Sequence, residues 1–145
     1  MIAYLDSSVI LRLVLSEPNP LPEWSEIRAG VTSSLAEVEI LRTLDRLRFA
    51  VPAIDSQVLA ERREVAFRLL EGLETIEITR VILARAAQPL PTPLGTLDAV
   101  HLVSAMGWRE HAQSGFVWKH ACGLFKRMDE CTGGTGFEHR GKTVV

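Results

Sequence analysis

The sequence predicts an α/β fold: a three-layer α/β/α domain with a short, mostly parallel central sheet. Three observations carry that expectation. Short apolar runs alternate with longer stretches of helical periodicity, the trace that parallel strands and their crossover helices leave in a sequence. Turn and cap formers sit between the runs rather than inside them, as at Asp6-Ser7-Ser8, Pro18 to Pro22 and Pro89 to Gly95. The chain has 145 residues, 47% of them hydrophobic, which suits one domain with its own core and no need of staples.

The elements follow in order. Ile2 to Leu5 is short, apolar and bounded by Asp-Ser-Ser, which reads as a buried strand. Ser7 or Ser8 can cap the next helix, Val9 to Ser16, which is apolar on nearly every face and therefore expected to be buried. Pro18, Pro20 and Pro22 end it and begin another helix, with Trp24 and Ile27 as its apolar stripe and Gly30 as its stop. Val31-Thr32 is a very short strand. Ser33 or Ser34 caps a helix over about 35–48, in which Leu35, Val38, Leu41 and Leu44 set the expected buried stripe. A second amphipathic helix spans about 56–72, and Glu74 to Ile78 alternates with period two, as a strand does. Arg80 to Ala87 is a short helix, the Pro-rich run to Gly95 a rigid loop, and Thr96 caps a helix to about Met106. Phe116-Val117-Trp118 reads as a last strand. Residues 1–130 are expected to form the domain, and 131–145, rich in Gly and polar residues, a loosely ordered tail.

Charge and cysteine usage narrow the function classes. The formal net charge of −2 argues against nucleic-acid binding by bulk charge, though not against a local basic groove. Of the 16 basic residues all but Lys119, Lys126 and Lys142 are Arg, the better bidentate partner of phosphate. Neither a signal-peptide pattern nor an apolar run long enough to span a membrane is visible. Cys122 and Cys131 alone do not make a disulfide framework, so a reducing cytoplasm is the expected compartment.

Ligands of open parallel sheets bind outside the carboxyl ends of the strands. Asp6 stands at that end of the first strand, either as a helix cap or as a chemical group. Glu39 borders the apolar stripe of its helix, with Arg42 three residues on; Glu37, the competing acid, falls on a more exposed face. Asp98 lies in the first turn of a helix, where the dipole favours a carboxylate, and His101 follows one turn later on the same face. A surface ion pair, two caps and a packed histidine would explain each of these singly.

Their combination carries more. Leu5-Asp6-Ser7-Ser8-Val9-Ile10 resembles the opening motif of PIN-domain ribonucleases. Thr32 to Arg42 resembles their second motif, an acid followed three residues later by Arg, and this register selects Glu39 over Glu37. Leu94 to Ala105, with Thr96-Leu97-Asp98-Ala99-Val100-His101 at its centre, resembles their third. Order, spacing and local structure agree over about residues 1–107, and the chain looks most like the toxin of a VapBC toxin–antitoxin pair. The resemblance implies a metal-dependent endoribonuclease that hydrolyses RNA phosphodiesters, with Asp6, Glu39 and Asp98 as catalytic metal ligands for Mg²⁺ or Mn²⁺. It implies supporting roles for Ser7, Arg42 and His101, a VapB-like antitoxin as partner, and a homodimer.

The pattern departs at the fourth acid that the family places after the next strand. His120 stands there, and Asp129 and Glu130 come later. A catalytically impaired protein that binds an antitoxin or RNA without cutting is therefore the alternative expectation. Spacing among His120, Cys122, Cys131 and His139 fits no standard zinc site. Other α/β classes fit less well. Asp6 lacks the adjacent acid of a receiver domain, and Ser8 replaces the second acid of an Asp-x-Asp phosphatase.

Overall fold

The structure, a computed structural model, describes residues 1–17, 21–50, 54–111 and 116–119. The elements are β1 (Ile2–Leu5), α1 (Ser7–Val14), a 3₁₀ turn (Pro22–Glu26), β2 (Ala29–Ser33), α2 (Ser34–Ala50), α3 (Ser56–Glu71), β3 (Glu74–Ile76), α4 (Arg80–Ala86), α5 (Thr96–His111) and β4 (Phe116–Lys119). The four strands make one parallel sheet in the order β3-β2-β1-β4.

Alternation along β1 creates the three layers. Ala3 and Leu5 face one side, where they join Val9, Ile10 and Val14 of α1, Ala36, Ile40 and Leu44 of α2, and Leu59 and Ala66 of α3. Tyr4 faces the other side, against Val31 and Ala105, with Trp108 of α5 packed on that cluster. A strand with both faces covered must be apolar on both, which is why Ile2 to Leu5 reads as a continuous apolar run.

Several boundaries differ from the sequence expectation, each for a local reason. The region of Trp24 and Ile27 is a single 3₁₀ turn rather than a helix to Gly30. Arg28 N–H already donates to Met1 C=O at 2.8 Å, so the chain is committed to the β1–β2 ladder. β3 stops at Ile76 because Ile78 N–H turns to the Ser34 hydroxyl, 3.3 Å away, and Thr79 then caps α4 by accepting from Ile82 N–H. α5 continues past Gly107 to His111; Trp108 Nε1 donates to Glu74 at 2.8 Å and ties the extension to β3.

The expected stripe of α2 is also displaced. Its buried positions are Ala36, Ile40 and Leu44, whereas Val38 is 56% exposed. Two residues on a helix are some 200° apart, so Val38 lies nearly opposite Ala36. In α3, Leu59 and Ala66 are buried while Val58 and Phe67 are exposed.

Asp55 caps α3 by accepting from Gln57 N–H at 2.9 Å. Asp55→Ala should lower stability by about 1 kcal/mol, read as a shift of the urea midpoint at unchanged slope.

Candidate metal and nucleic-acid site

Parallel pairing places the ends of β1 and β2 at one edge. Tyr4 pairs with Val31, and the Thr32 hydroxyl donates to Leu5 C=O at 2.7 Å, which locks the two strands together just before Asp6 and Ser33. α1 and α2 both start at this edge, from Ser7 and Ser34. β4 reaches the same edge on the other side of β1, with Lys119 opposite Leu5.

Asp6 is 5% exposed and caps α1. Its Oδ1 accepts from Ser8 N–H (3.0 Å), Ser8 Oγ–H (2.7 Å) and Val9 N–H (3.1 Å). The hydroxyl bonded to Asp6 is that of Ser8, and the cap of α1 is Asp6 itself rather than either serine. The same displacement recurs at α2. Ser33 Oγ lies 3.3 Å from His101 Nδ1, and Ser34 Oγ accepts from Ile78, so both hydroxyls serve tertiary contacts. At α5, Ala99 N–H bonds Gly95 C=O at 2.9 Å, which makes Thr96 the first helical residue rather than the cap.

Glu39 is half-buried and Glu37 exposed, as the helical spacing of the two acids suggested. Glu39 Oε2 is 2.7 Å from His101 Nε2, a bond that joins α2 to α5. His101 is buried, and its other ring nitrogen is 2.9 Å from the Tyr4 hydroxyl. Asp98 sits one turn before His101 on α5, partly exposed, with Oδ2 close against Gly95. Arg42 does not orient Glu39. It is exposed and lies 3.5 Å from Asp45, which Arg63 also binds. A three-residue offset on a helix permits a pair without enforcing one.

The donor chemistry suits a hard divalent cation, since all three residues offer carboxylate oxygens. Their spacing does not amount to a ready cage: among the described residues no three acids, histidines or cysteines stand close enough together to hold a metal ion. His120, Cys122, Asp129, Glu130, Cys131 and His139 lie outside the described residues, as do the expected tail and the end of the expected domain.

Sequence reading missed Tyr4. Burial pushes its phenol well above the ordinary tyrosine range; hydrogen bonding to Ser33 opposes this, and the Asp6 and Glu39 carboxylates reinforce it. Both acids therefore act electrostatically on one buried hydroxyl. The available signal was a polar-tipped aromatic in an otherwise apolar strand, because a buried Tyr O–H needs a partner.

Tyr4 is the sole tyrosine, so tyrosinate absorbance reports it alone. The raised native value means that only the unfolded chain ionises as pH passes 10.0. The unfolded state then binds fewer protons than the native state, so stability holds below that pH and falls above it. Alkaline absorbance should rise together with loss of helical circular dichroism rather than before it, and Tyr4→Phe should weaken the pH dependence of unfolding.

Comparison with known proteins agrees with the motifs. A sequence model of the PIN domain family matches residues 3–114. Two ribonucleases of Mycobacterium tuberculosis are similar to this chain. VapC47 is 31% identical over 109 residues, covering 70% of this chain and 73% of its own length. VapC46 is 34% identical over 105 residues, covering 70% and 72%.

Proposed function

Since the chain belongs to the PIN-domain family and is of the VapC type, we propose that it is a metal-dependent endoribonuclease, the toxin of a toxin–antitoxin pair. The observation that supports this reading is the His101–Glu39 bond, which brings α5 against α2 behind the strand end where Asp6 stands. Asp6, Glu39 and Asp98 would hold Mg²⁺ or Mn²⁺, which supplies Lewis acidity toward a phosphodiester and favours hydroxide over water as nucleophile.

The chain's own residues do the rest. Ser8 and the first turn of α1 fix one oxygen of Asp6, so its carboxylate has a set orientation. His101 fixes one oxygen of Glu39. Arg42, exposed on the same helix as Glu39, is available to RNA phosphate, where a planar guanidinium binds well. A VapB-like antitoxin, a second copy of the chain and a cytoplasmic setting complete the reading. No helix among the described residues is long and apolar enough to cross a membrane.

RNA cleavage should require Mn²⁺ or Mg²⁺ and stop on chelation. Glu39→Gln should abolish it and Glu37→Gln should leave it unchanged, as measured on a labelled RNA by gel. One observation favours a second reading: His120 stands where the family places an acid. Absence of cleavage at every Mn²⁺ concentration, with an antitoxin peptide still bound, would replace the nuclease by a non-cutting binder.

A further inference from the structure

A buried tyrosine and a buried histidine meet behind Glu39, and the function above uses the histidine without explaining what holds it. We propose that Tyr4 and His101 form a buried positioning relay for Glu39, in which the tyrosine hydroxyl sets the histidine tautomer and the histidine sets the carboxylate. The inference rests on the reading of Glu39 as a metal ligand.

The relay specifies a proton arrangement that the distances accommodate. A carboxylate oxygen can only accept, so the 2.7 Å bond to Glu39 Oε2 needs a proton on His101 Nε2. In the relay the ring carries that proton alone, so Nδ1 accepts from the Tyr4 hydroxyl at 2.9 Å. A phenol is protonated at neutral pH, as the donor role requires. Ser33 Oγ lies 3.3 Å from the same nitrogen, and its one proton serves the Tyr4 oxygen. The ring has no room to turn away: His101 is 4% exposed and packs edge-on to Tyr4 with centroids 6.0 Å apart. Glu39 makes no other hydrogen bond among the described residues, so Oε1 is the oxygen available to a ligand.

The chain of contacts crosses the domain. Tyr4 belongs to β1, Ser33 to β2, Glu39 to α2 and His101 to α5. One ring thus ties the elements that supply all three acids, because Asp6 follows β1 and Asp98 shares a turn with His101. Partners of this kind behind a metal ligand typically contribute ten- to hundredfold in metal affinity or activity.

His101→Asn keeps an amide near the Nδ1 position but cannot reach Glu39, whereas His101→Gln places its amide nitrogen near the Nε2 position. Mn²⁺ uptake, followed by the electron paramagnetic signal of the free ion, should weaken roughly ten- to hundredfold in His101→Asn and recover to within a few fold in His101→Gln. Tyr4→Phe should weaken it by a smaller factor, with kcat falling more than KM rises. Thermal melts check that each variant folds. A folded His101→Asn that binds Mn²⁺ as tightly as the parent reduces the histidine to packing and overturns the relay.

A readout without metal separates this claim from the nuclease assignment. In the ¹⁵N-labelled parent protein, His101 should be the Nε2–H tautomer, with a downfield, exchange-protected Hε2. That signal should shift in Glu39→Ala and exchange faster in Tyr4→Phe. An Nδ1-protonated or doubly protonated ring, or an Hε2 indifferent to Tyr4→Phe, overturns the relay even if the chain cuts RNA. Conversely, a parent chain that takes up no Mn²⁺ and cuts no RNA defeats the nuclease reading, while the Hε2 result still decides the relay.

Discussion

Asp6→Asn should fold normally and lose at least about a hundredfold of metal-dependent RNA cleavage. The substitution separates the cap that Asp6 forms from the cation ligand proposed for it. As a cap, Asp6 needs only an oxygen at the Oδ1 position, where it meets Ser8 and Val9. Asparagine supplies that oxygen and caps about as well as aspartate. As a cation ligand, Asp6 needs its negative charge, which asparagine lacks. Asp98→Asn makes the matching test on α5. There the charge also favours the first helical turn, worth about 0.3–1 kcal/mol, so a slightly lower melting temperature is expected alongside the lost activity. Circular dichroism melts and cleavage of a fluorogenic RNA would be read on the same samples. Cleavage at the parent rate in both variants would remove the acids from the mechanism and leave Asp6 as a helix cap alone.

The second large effect concerns α2, whose register decides where Glu39 points. Ile40→Ala should cost about 2–5 kcal/mol, the range for truncating a large side chain in a closed core. Ile40 is fully buried, among Leu5, Ile10 and Leu44 of the same cluster. Val38→Ala should change stability by no more than about 0.5 kcal/mol, because the side chain is 56% exposed and alanine is the better helix former. Urea unfolding at constant slope would give both numbers. Equal losses at the two positions would mean that α2 is rotated, and that Glu39 does not meet His101 as described.

The two experiments probe different kinds of information. The order of strands and helices was legible in the sequence, because it depends on local periodicity and on where Ser, Pro and Gly fall. Ile2 to Leu5 and Ser56 to Glu71 lie where their patterns place them, within a residue. Asp6 was legible as a site residue for a topological reason, since any residue just after a parallel strand lies at the carboxyl edge. Asp98 and Glu39 needed the motif as well: taken singly, an acid in a first turn or beside an arginine is ordinary.

What the sequence could not decide is which side-chain oxygen pairs with which donor. Ser7, Ser8, Ser33, Ser34 and Thr96 were all plausible caps, and the cap at α1 proved to be Asp6 instead. Each helix takes the residue whose backbone is still extended when the helix begins, and that depends on where the strand before it ends. Arg42 is a similar case. Its spacing from Glu39 allows a pair, yet Asp45 has the same spacing on the other side and takes the contact. Val38 is exposed although its spacing suits a buried position, because several apolar stripes can be drawn on α2 and only packing against α1 and α3 selects one.

Local pattern thus determined the parallel α/β scaffold and the position of Asp6, and the motif resemblance chose Glu39 over Glu37. Tertiary structure decided the partners of His101. Tyr4 and His101 are ninety-seven residues apart, and His101 and Glu39 sixty-two. Contacts at such separations leave no periodicity in the chain; they arise because β1 lies beneath α5 and α2 rises beside it. The buried histidine that one residue type hinted at becomes a positioned group only when three elements close around it and each of its nitrogens must find a partner away from water.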